Sequence, residues 1–559
     1  MRYSCDFETT TDPNDCRVWA WVAIDIDNQN ERFYGNSIAS FFEWVFTLKN
    51  SVAYFHNLKF DGEFILHYLL SNGFALNEKI KELQPNQFNT LISDKSVFYT
   101  IEVLTEKSRV KFIDSLKLLP FSVAAVAKGF GLSLSKLEID YNEKREIGHE
   151  LTEQEKDYIT NDALIIAQGL KTLFDQGFKK ITAGSNAFSF YKKEIGGEKK
   201  FRRLFPVPEN DEYLRKAYKG GFTYANPEYI GKRVGAGLVF DVNSLYPFSL
   251  HSPHQYPVGI PKYFTGEYNH DDNYPLYFQR FRCMFHVKQG YFPMVQLKSS
   301  RLFLPTEYVT DSEIEVEMTL TSVDLALFLE HYETENLEYI DGYKYQARSG
   351  LFDGYIDYWY DVKRDSKHNG NKAMYTLSKL MQNSLYGKFA TNPIARSKWP
   401  VLVDGIVKYR LGEEERREPI YVAVGAFCTS YARDVTIRAA QKLHNRFLYA
   451  DTDSLHILGT DIPDCIEIDD YKLGAFKHEG IFTEAKYLRA KMYMENIREP
   501  QDPIGSEKWK VTAAGMTDTC KSYVNIDNFT IGSEFSGKLR PKHVKGGIIL
   551  ENSPFTIRG

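Results

Sequence analysis

Apolar runs and polar turns divide the chain into distinct elements. Arg2 to Phe7 and Val18 to Ile26 read as strands parted by a turn at Asp12-Pro13-Asn14. Helical spacing follows over 39–49 and 62–71. The clearest helix opens at Thr152, where Thr152-Glu153-Gln154-Glu155 forms a capping box. The Thr hydroxyl and the Glu155 carboxylate can each satisfy an amide of the first turn that has no helical partner. Ile159, Ala163, Ile166 and Leu170 then recur on one face. Residues 1–180 therefore read as α/β. Lys192, Lys193, Lys199, Lys200, Arg202 and Arg203, followed by Pro206 and Pro208, read as a linker. Strands and helices alternate irregularly over 236–460. Within that span 254–350 is rich in aromatics and turns, and 391–417 is polar and turn-containing. Lys538, Arg540, Lys542, Lys545 and Arg558 make the C-terminal 22 residues a basic surface.

Composition narrows the classes. A chain of 559 residues, 43% hydrophobic and 26% charged, can bury several cores. With 69 Lys+Arg against 74 Asp+Glu it is not a uniformly basic nucleic-acid binder, although local basic grooves stay open. The six cysteines form no CxxC pair, which argues against zinc ribbons and a disulfide framework. The opening MRYSCDFETTTDPNDC is unlike a signal peptide, and no apolar run is long enough to span a membrane.

Two groups of acids carry the chemistry. Asp6 and Glu8, two apart on a strand, share a face. About ten such pairs arise by chance in a chain this acidic, so the pair means little alone. Asn57-Leu58-Lys59-Phe60-Asp61 ends an apolar run and by itself reads as a turn with a helix cap at Asp61. Tyr158 and Asp162 share a face of the capped helix. Four converging acids repel unless divalent cations neutralise them. Two such ions about 4 Å apart can activate a water for phosphodiester cleavage.

The second group begins with Asp241, at the end of the apolar strand Leu238-Val239-Phe240-Asp241. About two hundred residues on, Tyr449-Ala450-Asp451-Thr452-Asp453-Ser454 reads as a hairpin with acids at its tip. A strand-end Asp facing a hairpin Asp suits two-metal phosphoryl transfer. Between them Lys379, Asn383 and Tyr386 fall on one helical stripe, which could meet a phosphate, a base edge and a base plane.

These motifs resemble family B DNA polymerases. Asp241-Val242-Asn243-Ser244-Leu245-Tyr246-Pro247 is similar to motif A, Lys379 to Gly387 to motif B, and Tyr449 to Ser454 to motif C. The order DxE, NxxFD, YxxxD resembles the three motifs of the 3′–5′ proofreading exonuclease. The resemblance is closer to the protein-primed subgroup, through Tyr218-Lys219-Gly220-Gly221, Thr429 to Arg433, and Lys491-Met492-Tyr493. Ser115 and Leu116 with Phe121 resemble that subgroup's contact motif for single strands and the terminal protein.

The resemblance implies a multidomain α/β and α+β fold. An RNase H-like exonuclease would occupy 1–182 and a right-hand polymerase 183–559. In the latter, the palm would lie at about 183–253 and 418–500, a first insertion at 254–350, fingers at 351–390, a second insertion at 391–417 and a thumb at 501–559. Asp241, the Val242 carbonyl and Asp453 would hold two Mg²⁺ ions, with Mn²⁺ as a substitute, and Asp451 would be an essential neighbour. Tyr246 would exclude a 2′-hydroxyl, Lys379 would hold the triphosphate, and Asn383 and Tyr386 would line the base pair. A further fingers lysine would be Lys363, with Lys372 its rival. Asp6, Glu8, Asp61 and Asp162 would bind a second pair of ions, assisted by Tyr158 and Lys136, with Glu138 a further acid nearby. Thr9, His56, Asn57 and Phe60 would seat a frayed 3′ end. Arg433, Lys491 and Tyr493 would grip the primer, Thr429 belongs to the same DNA-contact motif, and Tyr218, Gly220 and Gly221 would couple the two sites.

The implied function is a replicative, strand-displacing phage polymerase working on template-primer DNA and dNTPs. It would act as a monomer or a heterodimer with its priming protein, in the cytoplasm of the infected bacterium. A catalytically dead replication scaffold is the main rival; the acids at 241, 451 and 453 speak against it, since a binding module has no reason to cluster them. A stand-alone nuclease would leave 183–559 without a task. A reverse transcriptase would not account for the nuclease motifs.

Overall fold

The computed structural model describes residues 1–79, 82–134, 143, 145–296 and 307–558. The N-terminal unit is built on a sheet whose central strands, Arg2–Thr9, Asn50–Phe55 and Arg109–Asp114, run parallel. Val18–Asp25 is buried along its whole length and reads as an unbroken apolar run because both its faces are covered. Trp21 and Ala23 face the helices Ile38–Val45 and Leu58–Ser71, while Val22 and Ile24 face the helix Glu153–Asp175. The Thr152 capping box forms as the sequence predicts.

The second sheet is antiparallel and central to the chain. Gly237–Val242 lies between Ser454–Leu458 and Phe476–Arg489. The helix Val422–Lys442 covers one face, packing Ala432, Ile437 and Ala440 on Leu238, Phe240 and Ile457. The opposite face carries Asp241, His456 and Tyr493.

Three further parts complete the molecule. Tyr256–Thr265, Leu276–Val287, Val316–Thr321 and Tyr332–Arg348 form a four-stranded sheet carrying the helix Ser322–His331, so these aromatic-rich segments make a packed layer rather than a string of turns. Asp353–His368 and Lys372–Ser384 form a helical hairpin that turns at Gly370, where φ is 68°. The segments 394–416 and 534–556 are long two-stranded hairpins.

Several expectations need correction. The basic stretch near 192–203 is not a linker. It forms the helices Ala183–Glu194 and Glu198–Leu204, because Phe201 is buried and the Lys192 ammonium lies 4.6 Å and 4.5 Å from the Phe188 and Phe201 ring centres. The second helix of the N-terminal unit starts at Leu58, not 62. Asn57 supplies the turn with φ of 78°, which places Asp61 inside the first helical turn instead of at its cap. The stripe carrying Lys379 and Asn383 stops at Ser384, whose hydroxyl donates back to the Leu380 carbonyl at 2.7 Å. Tyr386 opens a separate short helix.

The 534–556 hairpin docks into the N-terminal unit. Val544, Ile548 and Ile549 join the core around Phe64, as does Val407 from the 394–416 hairpin. At the turn, a side chain on Gly546 would strike the Cys16 carbonyl and one on Gly547 the Phe64 ring. Between the two hairpins, buried Glu63 accepts from Tyr409 Oη at 2.7 Å and from His543 Nε2 at 3.0 Å. Among the described residues no helix is long and apolar enough to cross a membrane.

Candidate active sites

The first acid cluster lies on the face of the N-terminal sheet that meets the Glu153–Asp175 helix. Tyr3, Cys5 and Phe7 point to the opposite core, leaving Ser4, Asp6 and Glu8 on the helix side. Ser4 Oγ donates to the Ala163 carbonyl at 2.8 Å, which sets the helix carrying Tyr158 and Asp162 against this strand. Burial, with the nearby charges of Asp6, Glu8 and Asp114, holds the Asp61 carboxyl well above the usual range. Thr9 falls at an irregularity in the strand ladder.

Around this cluster Asp114 organises the backbone. Its Oδ1 accepts from the amides of Asn57 at 3.1 Å and Leu116 at 3.0 Å. His56 is seated by Ser115 Oγ at 3.0 Å and the Phe121 carbonyl at 2.7 Å, and burial lowers its pKa. Ser115 is fully buried, and its hydroxyl, besides contacting His56, donates to the Phe55 carbonyl at 3.0 Å. Phe60, Leu116 and Phe121 stay partly exposed. Lys136 and Glu138 lie outside the described residues.

The second site joins Asp241 and Asp453 across two neighbouring strands. Val242 N donates to the Asp453 carbonyl at 2.8 Å, and Asp241 stands opposite Ser454. The hairpin tip turns at Thr452, where φ is 64°. Thr452 N donates to the Phe222 carbonyl at 2.7 Å, and Thr436 Oγ1 to the Thr452 carbonyl at 2.8 Å. Gly221 leaves room for this tip, since a Cβ there would meet Thr452 Cγ2 at 2.7 Å.

The electrostatics separate the three acids. Burial, then the Asp453 and Glu479 charges, push Asp241 up to about 7, against the pull of Lys379 and Lys477. Burial and Asp451 likewise raise Asp453. Asp451 is tied instead to Lys491 Nζ at 2.9 Å and Thr223 Oγ1 at 3.1 Å.

A cavity of about 430 Å³ opens beside the pair, lined by Tyr246, Lys363, Lys379 and Asn383. Tyr246 stacks on Tyr386 with ring centres 4.1 Å apart, and burial pushes its hydroxyl up to about 12. Lys363 Nζ donates to Ser244 Oγ at 3.1 Å; burial and neighbouring Lys379 depress it to about 8. Lys372 does not line the cavity, and its stem lies beside Gly131.

Three further residues expected to touch DNA are buried. Arg433 pairs with Asp324 at 2.5 Å, both nearly solvent-free, and donates to the Gly220 carbonyl at 2.6 Å. Thr429 bonds its own helix at the Gly425 and Ala426 carbonyls. Tyr493 packs among Tyr449, His456 and Tyr487. Of these, Arg433 ties the Tyr218–Gly221 segment to the Val422–Lys442 helix, while Lys491 remains half exposed. Lys367, Lys477 and Glu479, which also line the cavity, were not singled out by the sequence. They belong to no spaced motif, and only strand register brings Lys477 opposite Asp241.

Both sites suit hard cations. Crowded carboxylates with raised pKa values are what a divalent ion would relieve, and its ligands would be oxygens. Among the described residues no group of three or more His, Cys, Asp or Glu forms a ready-made metal cage. Two carboxylates and the Val242 carbonyl would leave coordination positions for phosphate oxygens, the usual arrangement for Mg²⁺.

Comparison with known proteins gives concordant matches. The family model described as DNA polymerase type B, organellar and viral, matches residues 43–147 and 134–470. The DNA polymerase of Bacillus phage Nf is 45% identical over 578 residues, covering 100% of this chain and 99% of that protein. That of Bacillus phage phi29 is 43% identical over 579 residues, with the same coverage. The solved structure of phi29 DNA polymerase complexed with primer-template DNA superposes with a TM-score of 0.94, at 42% identity over 100% of both chains. Its complex with primer-template DNA and incoming nucleotide gives 0.92 at 43% identity, again over both whole chains.

Proposed function

The chain belongs to the type B DNA polymerases of organelles and viruses, in their protein-primed, phi29-like branch, and from this we propose that it is a phage replicative DNA polymerase with its own 3′–5′ proofreading nuclease. The observation that carries the reading is the convergence of Asp241 and Asp453 at the mouth of a lysine-lined cavity. In the proposed reaction the primer 3′-oxygen attacks the α-phosphorus of a dNTP. The O3′–P bond forms, the bond to the β-phosphate breaks, pyrophosphate leaves and the hydroxyl proton is lost. Mg²⁺, held by Asp241, Asp453 and the Val242 carbonyl, would lower the pKa of that hydroxyl and neutralise the triphosphate. Lys363 and Lys379 would orient the phosphates, Asn383 would meet the nascent pair, and Tyr246 on Tyr386 would form a rigid wall against a 2′-hydroxyl. Asp451, engaged by Lys491 and Thr223, would fix the primer-side floor.

Asp6, Glu8, Asp61 and Asp162 are assigned to a second pair of Mg²⁺ ions that would serve the nuclease, with Tyr158 orienting the water. The sheet around Gly237–Val242 would be the palm, the 353–384 helical hairpin the fingers and the 534–556 hairpin part of the thumb. The insertions at 256–348 and 394–416 would serve the priming protein and processive strand displacement respectively.

Primer extension on a primed circle tests the reading. Mg²⁺-dependent copying past one lap is expected with dNTPs, and shortening of the primer without them. Asp453→Asn should abolish extension and spare shortening. Extension at the parent's rate by that variant would refute the assignment. A labelled protein product on addition of the cognate terminal protein would test priming separately.

A further inference from the structure

We propose that Lys477 is a third phosphate-binding cation of the nucleotide cavity, engaging the triphosphate of the incoming nucleotide and then the departing pyrophosphate. This rests on the polymerase reading and extends it to a residue outside every motif.

The placement comes from strand register. Lys477 lies on the strand Phe476–Arg489, directly opposite Asp241. Lys363 and Lys379 reach the cavity from the two helices of the helical hairpin, whereas Lys477 reaches it from the sheet. The three ammonium groups thus come from three separate elements. They sense one another, since Lys379 and Lys477 both depress Lys363, and Lys379 and Lys477 both favour the ionised form of Asp241. Lys477 lines the same cavity as Asp241, Asp453, Lys363 and Lys379, where metal ions held by the two acids would bring the triphosphate.

Lys477 is held by Glu479, Oε1 to Nζ 2.6 Å, with about a third of its side chain exposed. A pair this exposed is weakly bound. A lysine on a flexible stem can exchange the carboxylate for phosphate oxygens and return when pyrophosphate leaves. Glu479 would hold the ammonium at the cavity rim between cycles.

The blander alternative is that Lys477 only neutralises Glu479. Steady-state single-nucleotide incorporation separates the two. For Lys477→Gln, KM for dNTP should rise about tenfold, as expected for loss of one charge-assisted hydrogen bond. KM for pyrophosphate in the reverse reaction should rise in parallel, while the Kd for primer-template and the shortening activity hold at parental values. Lys477→Arg should restore most of the loss. Two results overturn the proposal: a parental KM in Lys477→Gln, or recovery of the parental KM when Glu479→Gln is added to Lys477→Gln. If the parent protein does not extend a primer at all, the polymerase reading fails first and takes this inference with it.

Discussion

Single residues here act through contacts that no spacing rule encodes. Gly221 illustrates this. Its motif was visible in the sequence, but the reason for glycine is the 2.7 Å approach that a Cβ would make to Thr452 at the hairpin tip. Gly221→Ala should therefore push the Asp451–Asp453 turn out of line. A misplacement of about 1 Å costs roughly 100-fold in rate when reacting groups must be aligned. Extension assays on the purified variant should show that loss with primer shortening intact. Full extension activity would mean that the turn yields without moving its acids. Arg433 makes the converse point. Its place in the motif Thr429 to Arg433 invites a DNA contact, yet its guanidinium is paired with Asp324 and the Gly220 carbonyl. Burial is a tertiary property, and the local sequence around Thr429–Arg433 carries no sign of it.

At the scale of elements, periodicity was a good guide wherever one rule dominated. Strand Val18–Asp25, the Thr152 capping box and the Asp-Thr-Asp hairpin all follow from local pattern. The helix 183–204 region did not, because its lysines suggested a solvated run while Phe188 and Phe201 beneath them formed the core contact. Nor could the break at Ser384 be foreseen, since Tyr386 turns to stack on Tyr246 from another element. The four-stranded sheet within 256–348 was hidden because its bulged strand pairs depart from strict alternation. The 534–556 hairpin, read as a basic surface, proves basic outside and apolar at its docked end. Its contact through Glu63 makes it sensitive to pH. The hydrogen bond to Glu63 raises the His543 pKa above its ordinary 6.5, so this contact stabilises the folded protein fully below that value. The contribution is lost as pH rises through the raised pKa. Melting of the parent should therefore lose stability relative to His543→Gln on going from mildly acidic to alkaline pH. Parallel Tm–pH curves would exclude the coupling.

The whole molecule is held together by cores that ignore the order of the chain. The core around Phe64 takes in Val407, Val544, Ile548 and Ile549, and the largest core runs from Trp19 through Tyr191 to Cys428. Units joined this closely should melt together, so calorimetry is expected to give one cooperative transition. Deleting residues 534–558 should lower the Tm and increase protease cutting within 1–182, far from the deletion. Two independent transitions, or an unaltered N-terminal cleavage pattern, would show that the cores are only in contact. The docked hairpin also sets a timetable for biosynthesis. The N-terminal half leaves the ribosome several hundred residues ahead of the strands that cover Phe64. At ~5–20 residues per second it waits tens of seconds with that patch uncovered. Nascent chains stalled before residue 534 should accordingly recruit chaperones that full-length chains release.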